Sequence, residues 1–308
     1  MAPDVRRIVI LGPTAAGKSE IALQLAPRLG VEIVGADSRQ VYRGLEIGTA
    51  APSPRDRAIA PHHLASFLDP SEVYSAGRYA REARAAIREI ETRGRVALIV
   101  GGSGLYLRAL LDGLFEGPER DEVIRSALQT RIEKEGLESL RQELGRADPT
   151  ALAMILPGDS VRVIRALEVH ALTGRPISEL RRERRREPVA ATRFGIRWPR
   201  KLLANRIEAR IRDQLADGFL DQARALAESR LPERAPARHT LGYRELLAHL
   251  GGAMSLEAAV SLIALRTRQL AKRQETWFRK VELVEWFDLE SPDQFPAVAN
   301  AIASRFEP

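Results

Sequence analysis

Cysteine is absent from this chain. Disulfides and thiolate metal sites are therefore excluded, and a reducing compartment is compatible. No run approaches the roughly 20 apolar residues that cross a bilayer. The N-terminal apolar stretch "IVIL" follows Arg6 and Arg7 and meets Gly12-Pro13 at once, too short for the core of a signal peptide. No contact with a membrane is expected, and the expected location is the cytoplasm. Internal repeats and low-complexity linkers are also missing. Lysine is scarce: only Lys18, Lys134, Lys201, Lys272 and Lys280 occur, and arginine carries nearly all the positive charge.

What is present is an ordinary globular composition, 44% hydrophobic and 29% charged, which 308 residues can fold around a core without staples. The length suits one large domain or two. A net charge of +7 and a pI of about 10.1 make an anionic partner plausible, with nucleic acid the usual one.

Five apolar runs read as strands. "RIVILG", "VEIVG" and "VALIVGG" alternate with the helical patterns "KSEIALQLAPRLG" and "GRYAREARAAIREIETRG". This order predicts a parallel sheet with helices on its faces. From about Phe115 the texture becomes charged and helical, with a break at "LPGDS". "ATRFGIRW" then returns to strand character, the stretch to about Lys280 is mostly helical, and "VELVEWFDLE" reads as a last strand. The expected organisation is a core of residues 1–114 and 190–308 interrupted by an all-helical insertion of residues 115–189.

One motif stands between the first strand and the first helix. "GPTAAGKS" comprises Gly12, Pro13, Thr14, Ala15, Ala16, Gly17, Lys18 and Ser19. Its glycines let backbone N–H groups face phosphate oxygens at a helix N-terminus. Lys18 would neutralise a phosphate, and the Ser19 hydroxyl would ligate Mg²⁺. The motif is silent about which phosphates it holds. A nucleotide-hydrolysing site usually places an Asp after a second apolar strand, but "VALIV" runs into "GGSG". The acid at a strand end is Asp37 in "GADSRQVYRG". The carboxyl ends of parallel strands line the ligand crevice, so Asp37 belongs near the phosphate loop. A helix cap or turn role is the alternative for an Asp in that setting. His62-His63 lacks a carboxylate or Cys at ligand spacing, so a structural role is expected there.

With these residues in view, the chain resembles the tRNA dimethylallyltransferases, also called tRNA isopentenyltransferases. "GPTAAGKS", "DSRQVYRGLEIGTA", "PHHL", "SAGRYAREA", "GGSGLYLRAL", "RVIRALEV", "TGRPIS", "LGYRE" and "TRQLAKRQETWFR" follow the family's order from Ile8 to about Lys280. The resemblance implies a P-loop kinase-like α/β core with a helical insertion domain that contacts tRNA. It implies transfer of a dimethylallyl group from dimethylallyl diphosphate to the exocyclic amine of the adenine 3′ of the anticodon, in tRNAs reading codons that begin with U. Diphosphate leaves and Mg²⁺ is required. A monomer is expected.

The resemblance also implies site residues. Asp37 would be the proton acceptor, Thr14 would donate to the departing oxygen, and Lys18 and Arg210 would hold the diphosphate. Arg206 shares the helical face of Arg210. Asp37, Ser38, Arg39 and Gln40 would meet the flipped base. Ser103, where the family usually has Thr, keeps the hydroxyl for a base or tRNA contact. Further tRNA contacts are implied for Val161, Arg162, Val163, Ile164 and Arg165, for Arg238, His239, Thr240, Leu241, Gly242 and Tyr243, and for Arg125. The basic run Arg181 to Glu187 and a helix bearing Arg268, Lys272 and Arg279 are the most basic segments. On that helix, Leu270 and Trp277 would pack inward.

Overall fold

The computed structural model describes residues 7–113, 117–183 and 188–307. Six strands form one parallel sheet: β1 (Arg7–Leu11), β2 (Val31–Gly35), β3 (His62–His63), β4 (Val96–Gly101), β5 (Thr192–Arg197) and β6 (Val284–Asp288). Their order is β3-β2-β4-β1-β5-β6. The apolar runs of β1 and β4 sit in the middle of the sheet, and all six residues of β4 are buried. That is the burial expected of parallel strands covered on both faces. The two-residue β3 was not anticipated as a strand. It is too short and polar for any period, and it pairs Ile33 with His62 and Val34 with His63 at the sheet edge.

The chain divides into two compact units, residues 1–111 with 189–308, and residues 112–188. The first unit carries the sheet. Before the division its helices are α1 (Lys18–Leu29), α2 (Glu46–Thr49), α3 (Pro54–Ile59), α4 (Ala76–Thr92) and α5 (Gly104–Leu111). α1 places Ile21, Ala22, Leu25 and Ala26 inward, and left-handed Gly30 ends it by donating its N–H to Ala26 O. Ser75 caps α4 through the Arg78 N–H.

The second unit holds α6 (Glu122–Glu135), α7 (Leu137–Ala147), α8 (Pro149–Ala153), α9 (Ser160–Thr173) and α10 (Ile177–Leu180). Its own core gathers Leu128, Leu140, Leu144, Val163, Leu167 and Ile177 among others. Residues 184–187 of the basic run fall outside the described residues. The first unit then continues with α11 (Arg200–Ala216), α12 (Phe219–Glu228), α13 (Tyr243–Leu250), α14 (Leu256–Phe278) and α15 (Phe295–Ala303). α15 follows β6 and packs on α1, burying Phe295, Val298, Ala299 and Ile302. Among the described residues no helix is long and apolar enough to cross a membrane.

Candidate active site

The loop from Gly12 to Gly17 leaves the C-terminal end of β1 and enters α1. Its outer carbonyls are tied down from behind. Arg206 Nε donates to Ala15 O at 2.8 Å, and Trp198 Nε1 donates to Ala16 O at 3.0 Å. The Arg206 guanidinium also lies 4.6 Å from the Trp198 ring and 5.3 Å from the Phe295 ring. In a trans peptide the C=O and the following N–H point in opposite directions. Pulling Ala16 O toward Trp198 therefore turns the Gly17 N–H the other way. Among the described residues the N–H groups of Ala15, Gly17, Lys18 and Ser19 make no hydrogen bond. They are open donors at a positive helix end, the makings of an anion cradle.

Gly17 has φ +90°, and a Cβ there would lie 2.2 Å from Phe295 Cζ. Only glycine satisfies both the backbone and the floor beneath it. Ala15 is also left-handed, with φ 62°.

Lys18 reaches back along the loop, and Nζ donates to Pro13 O at 2.7 Å. Burial lowers its pKa to about 8; the nearby Asp37 carboxylate opposes this and Arg210 adds to it. Arg210 projects from α11 beside Thr14. Its Nη1 donates to Thr14 Oγ1 at 3.3 Å and its Nη2 to Thr49 O at 3.2 Å. Burial pulls Arg210 below the ordinary guanidinium value, against the pull of Glu20 and Asp37. Thr14, Lys18, Asp37 and Arg210 thus share one site.

Asp37 follows β2. Its Oδ1 accepts from Arg39 N at 2.8 Å and from Gln40 N at 3.3 Å. The turn role is therefore real and occupies one oxygen, while Oδ2 has no hydrogen bond among the described residues. Ser103 Oγ accepts from Ser38 N at 3.0 Å and braces this turn from the "GGSG" loop. Gln40 spends its amide donors on Thr49 O (3.1 Å) and Ala50 O (2.8 Å), which leaves its Oε1 as an acceptor. Arg39 is exposed. The Ser19 hydroxyl is exposed and makes no hydrogen bond among the described residues. A hard oxygen at this helix N-terminus fits Mg²⁺, which binds through few protein ligands plus phosphates and water.

One amide was not anticipated from the sequence. Gln274, on α14, accepts from Thr14 N at 2.8 Å and donates to Gly102 O at 2.9 Å. Arg206 was seen only as a face-mate of Arg210, and Trp198 was not singled out. These residues lie far along the chain from the loop they hold, so spacing within the motif gives no signal of them.

Several expected tRNA contacts require correction. The side chains of Val163 (0% exposed) and Ile164 point into the core of the helical unit. Tyr243 (0%) and Thr240 (2%) are closed to solvent. Tyr243 OH accepts from Gly48 N at 3.1 Å and donates to Gln222 Oε1. Gly242 packs against Phe219, and Leu241 lies against the core. The Val163, Thr240 and Tyr243 side chains have no free surface for RNA, and Leu241 is half-buried. Arg238 is half-buried and donates to Ala227 O and Ser229 O, whereas His239 is exposed.

Arg125 and Arg165 have a structural duty within the helical unit. Both pair with Glu168, which is 0% exposed, at 2.9 and 2.6 Å, and Asp121 N donates to the same carboxylate at 2.8 Å. Burial opposes the Glu168 charge, yet the two arginines and the N–H hold its pKa below the ordinary carboxylate range. Val161 and Arg162, by contrast, are exposed. On α14, Arg268 pairs with Glu208 at 2.8 Å, while Lys272 and Arg279 are exposed. Leu270 and Trp277 are half-buried, and Trp277 packs over Gly104. His63 Nε2 lies 2.8 Å from Glu32, which also accepts from Arg93. Burial lowers the pKa of His62.

Comparisons with known proteins show the family. Residues 40–281 match the family model described as IPP transferase, and residues 5–60 match one described as isopentenyl transferase. The chain is 44% identical over 299 residues to a tRNA dimethylallyltransferase of Geobacter metallireducens, covering 96% of both chains. It is 45% identical to one from Anaeromyxobacter sp. strain K, covering 97% of both. A crystal structure of a tRNA isopentenylpyrophosphate transferase from Bacillus halodurans superposes with a TM-score of 0.69 at 34% identity, over 98% of this chain and 97% of that one. A eukaryotic dimethylallyltransferase acting on tRNA gives 0.81 at 27% identity, over 96% and 78%. With such matches over nearly its whole length, the chain belongs to the IPP transferase family of tRNA dimethylallyltransferases.

Proposed function

We propose that this chain transfers a dimethylallyl group from dimethylallyl diphosphate to N6 of the adenine 3′ of the anticodon, in tRNAs reading codons that begin with U. The observation that carries the reading is a set of open loop N–H groups beside an Asp with one unengaged oxygen, with "GGSG" where a nucleotide-hydrolysing enzyme would place an acid.

The residues divide the work. The open N–H groups of Ala15, Gly17, Lys18 and Ser19, with Lys18 and Arg210, receive the negative charge that grows on the departing diphosphate. Thr14 Oγ1 accepts from Arg210, so its own hydrogen is available to the oxygen that leaves the allylic carbon. The adenine amine is a poor nucleophile because its lone pair is delocalised. Asp37 Oδ2 takes its proton as the N–C bond forms and the C–O bond breaks. Ser19 Oγ would hold Mg²⁺, which would supply further charge neutralisation. Ser38, Arg39, Gln40 and Ser103 surround the entry of a flipped base. Exposed Arg162, Val161 and His239 remain available to tRNA. One chain carries Thr14, Lys18, Asp37 and Arg210, so the reaction needs no second copy. The work belongs in the cytoplasm, where a chain without cysteine loses nothing to a reducing environment.

The test offers the protein unmodified tRNA with either dimethylallyl diphosphate or ATP. A C5 mass gain on one adenosine, with the diphosphate alone, is expected. No gain refutes the reading. In the Asp37→Asn variant, single-turnover transfer should fall about 10²- to 10⁴-fold while tRNA affinity holds. Transfer at the wild-type rate removes Asp37 as the proton acceptor.

A further inference from the structure

Between the phosphate loop and the base-binding turn runs a hydrogen-bonded path with a single side chain at its centre. It starts at Thr14 N, which donates to Gln274 Oε1 at 2.8 Å. Gln274 Nε2 donates to Gly102 O at 2.9 Å. Gly102 is covalently joined to Ser103, whose N–H donates to Ala36 O at 3.1 Å. Ser103 Oγ in turn accepts from Ser38 N at 3.0 Å, next to Asp37. One side holds the leaving group and the other holds the proton acceptor.

The amide is shaped for this bridge. It needs an acceptor on one side and a donor on the other, and a primary amide offers both from one planar group. The fit is close, because a Cβ on Gly102 would lie 2.5 Å from Gln274 Nε2. Gly104 is matched the same way, since a Cβ there would lie 2.4 Å from the Trp277 ring one helical turn along α14. α14 thus meets the "GGSG" loop twice, and at Gln274 it meets the phosphate loop as well.

We propose that Gln274 is a positioning residue that sets the separation between the allylic carbon and the adenine amine. It touches neither reactant in this proposal, which rests on the reaction assigned above. It also occupies the Thr14 N–H, so Thr14 serves the diphosphate through its hydroxyl and not through its backbone. Attack on an allylic carbon depends steeply on the approach of the two atoms, and small misplacements cost large factors in rate. Binding of each substrate alone draws on contacts that Gln274 does not make and should be nearly indifferent to the bridge.

The experiment compares Gln274→Met and Gln274→Glu with the wild type. Gln274→Met keeps the length and loses both hydrogen bonds. Its single-turnover transfer rate should fall about 10- to 100-fold. Its affinities for inorganic diphosphate and for unmodified tRNA should each stay within about threefold, because neither contact set includes Gln274. Gln274→Glu adds a signature that general loosening does not produce. A protonated glutamic acid accepts from Thr14 N and donates to Gly102 O, as the amide does, whereas the carboxylate repels Gly102 O. The ratio of its rate to the wild-type rate should therefore rise as pH falls from about 8 to 5.5, while the ratio for Gln274→Met stays flat. Transfer by Gln274→Met at the wild-type rate overturns the proposal. So does a parallel loss of diphosphate affinity and rate, or a Gln274→Glu ratio that ignores pH. A wild type that shows no C5 gain sinks the assigned reaction and this proposal with it. A working wild type with an indifferent variant sinks the proposal alone.

Discussion

On the proposed reaction, Lys18 should make binding of the diphosphate sensitive to pH in a defined direction. In the free protein burial lowers Lys18 to about 8, below the ordinary lysine value. The loop already partly solvates its ammonium through Pro13 O. A bound diphosphate places negative charge beside it and restores an ordinary, high pKa. Below about pH 7 the group is charged in both states, and binding moves no proton. Near about pH 9.5 a group of pKa about 8 is only about 3% charged in the free protein, so each binding event must take up a proton. Affinity for dimethylallyl diphosphate, a diphosphate monoester that loses its last proton below this window, should then fall about 30-fold between about pH 7 and 9.5, close to 2 kcal/mol. Arg210 keeps its charge throughout, and ordinary carboxylates titrate far below this window. Calorimetry in two buffers of different ionisation enthalpy should report proton uptake near zero at about pH 7 and near one at about pH 9.5. The Lys18→Arg variant should bind more weakly, with a flat pH profile. Zero uptake at high pH, or an unchanged affinity, would show that the ammonium does not meet the diphosphate.

Two further outcomes follow from packing. Gly17→Ala combines a left-handed backbone with a Cβ 2.2 Å from Phe295, so it should destabilise the sheet unit by about 2–4 kcal/mol. A thermal midpoint within about a degree of wild type would contradict that geometry. Glu168→Gln leaves Arg125 and Arg165 without their buried partner, and hydrogen exchange of α9 should report about 3 kcal/mol of lost protection near neutral pH. Glu168 has a lowered pKa, so its contribution is present above its unfolded value near 4.5 and is lost as pH falls through the folded value. The deficit of the variant should therefore shrink in acid, and a deficit independent of pH would argue against the ion-pair cluster.

The strands that carried apolar runs ending in glycine were legible because burial on both faces leaves its mark on every residue. β3 was not, since two histidines at a sheet edge make no pattern. α15 also escaped notice, although its Phe295 forms the floor under Gly17. Within the site, Lys18 and Ser19 came directly from local spacing and Asp37 from its place after a strand, while the roles of Thr14 and Asp37 came from the resemblance. Arg210 needed the resemblance as well, and the structure brings it to Thr14 Oγ1. Gln274 and Trp198 were invisible as loop supports because the bonds they make span 260 and 182 residues of chain. The opposite error occurred at Val163, Ile164 and Tyr243. Likeness to a motif cannot separate a residue that touches RNA from one that shapes the helix beneath it.

The sheet order has a consequence for how the protein is made. β1 lies between β4 and β5, and Ile8 pairs with Thr192. During synthesis one edge of this largely apolar strand stays open until the helical unit has been translated. That unit is built from local contacts and can fold while the sheet waits. The wait is longest at the phosphate loop. Its side supports arrive with Trp198 and Arg206, its clamp with Gln274, and its floor with Phe295. The motif that opens the chain is therefore among the last parts of the molecule to acquire its working shape, and a ribosome-bound chain that lacks α15 should not yet hold diphosphate.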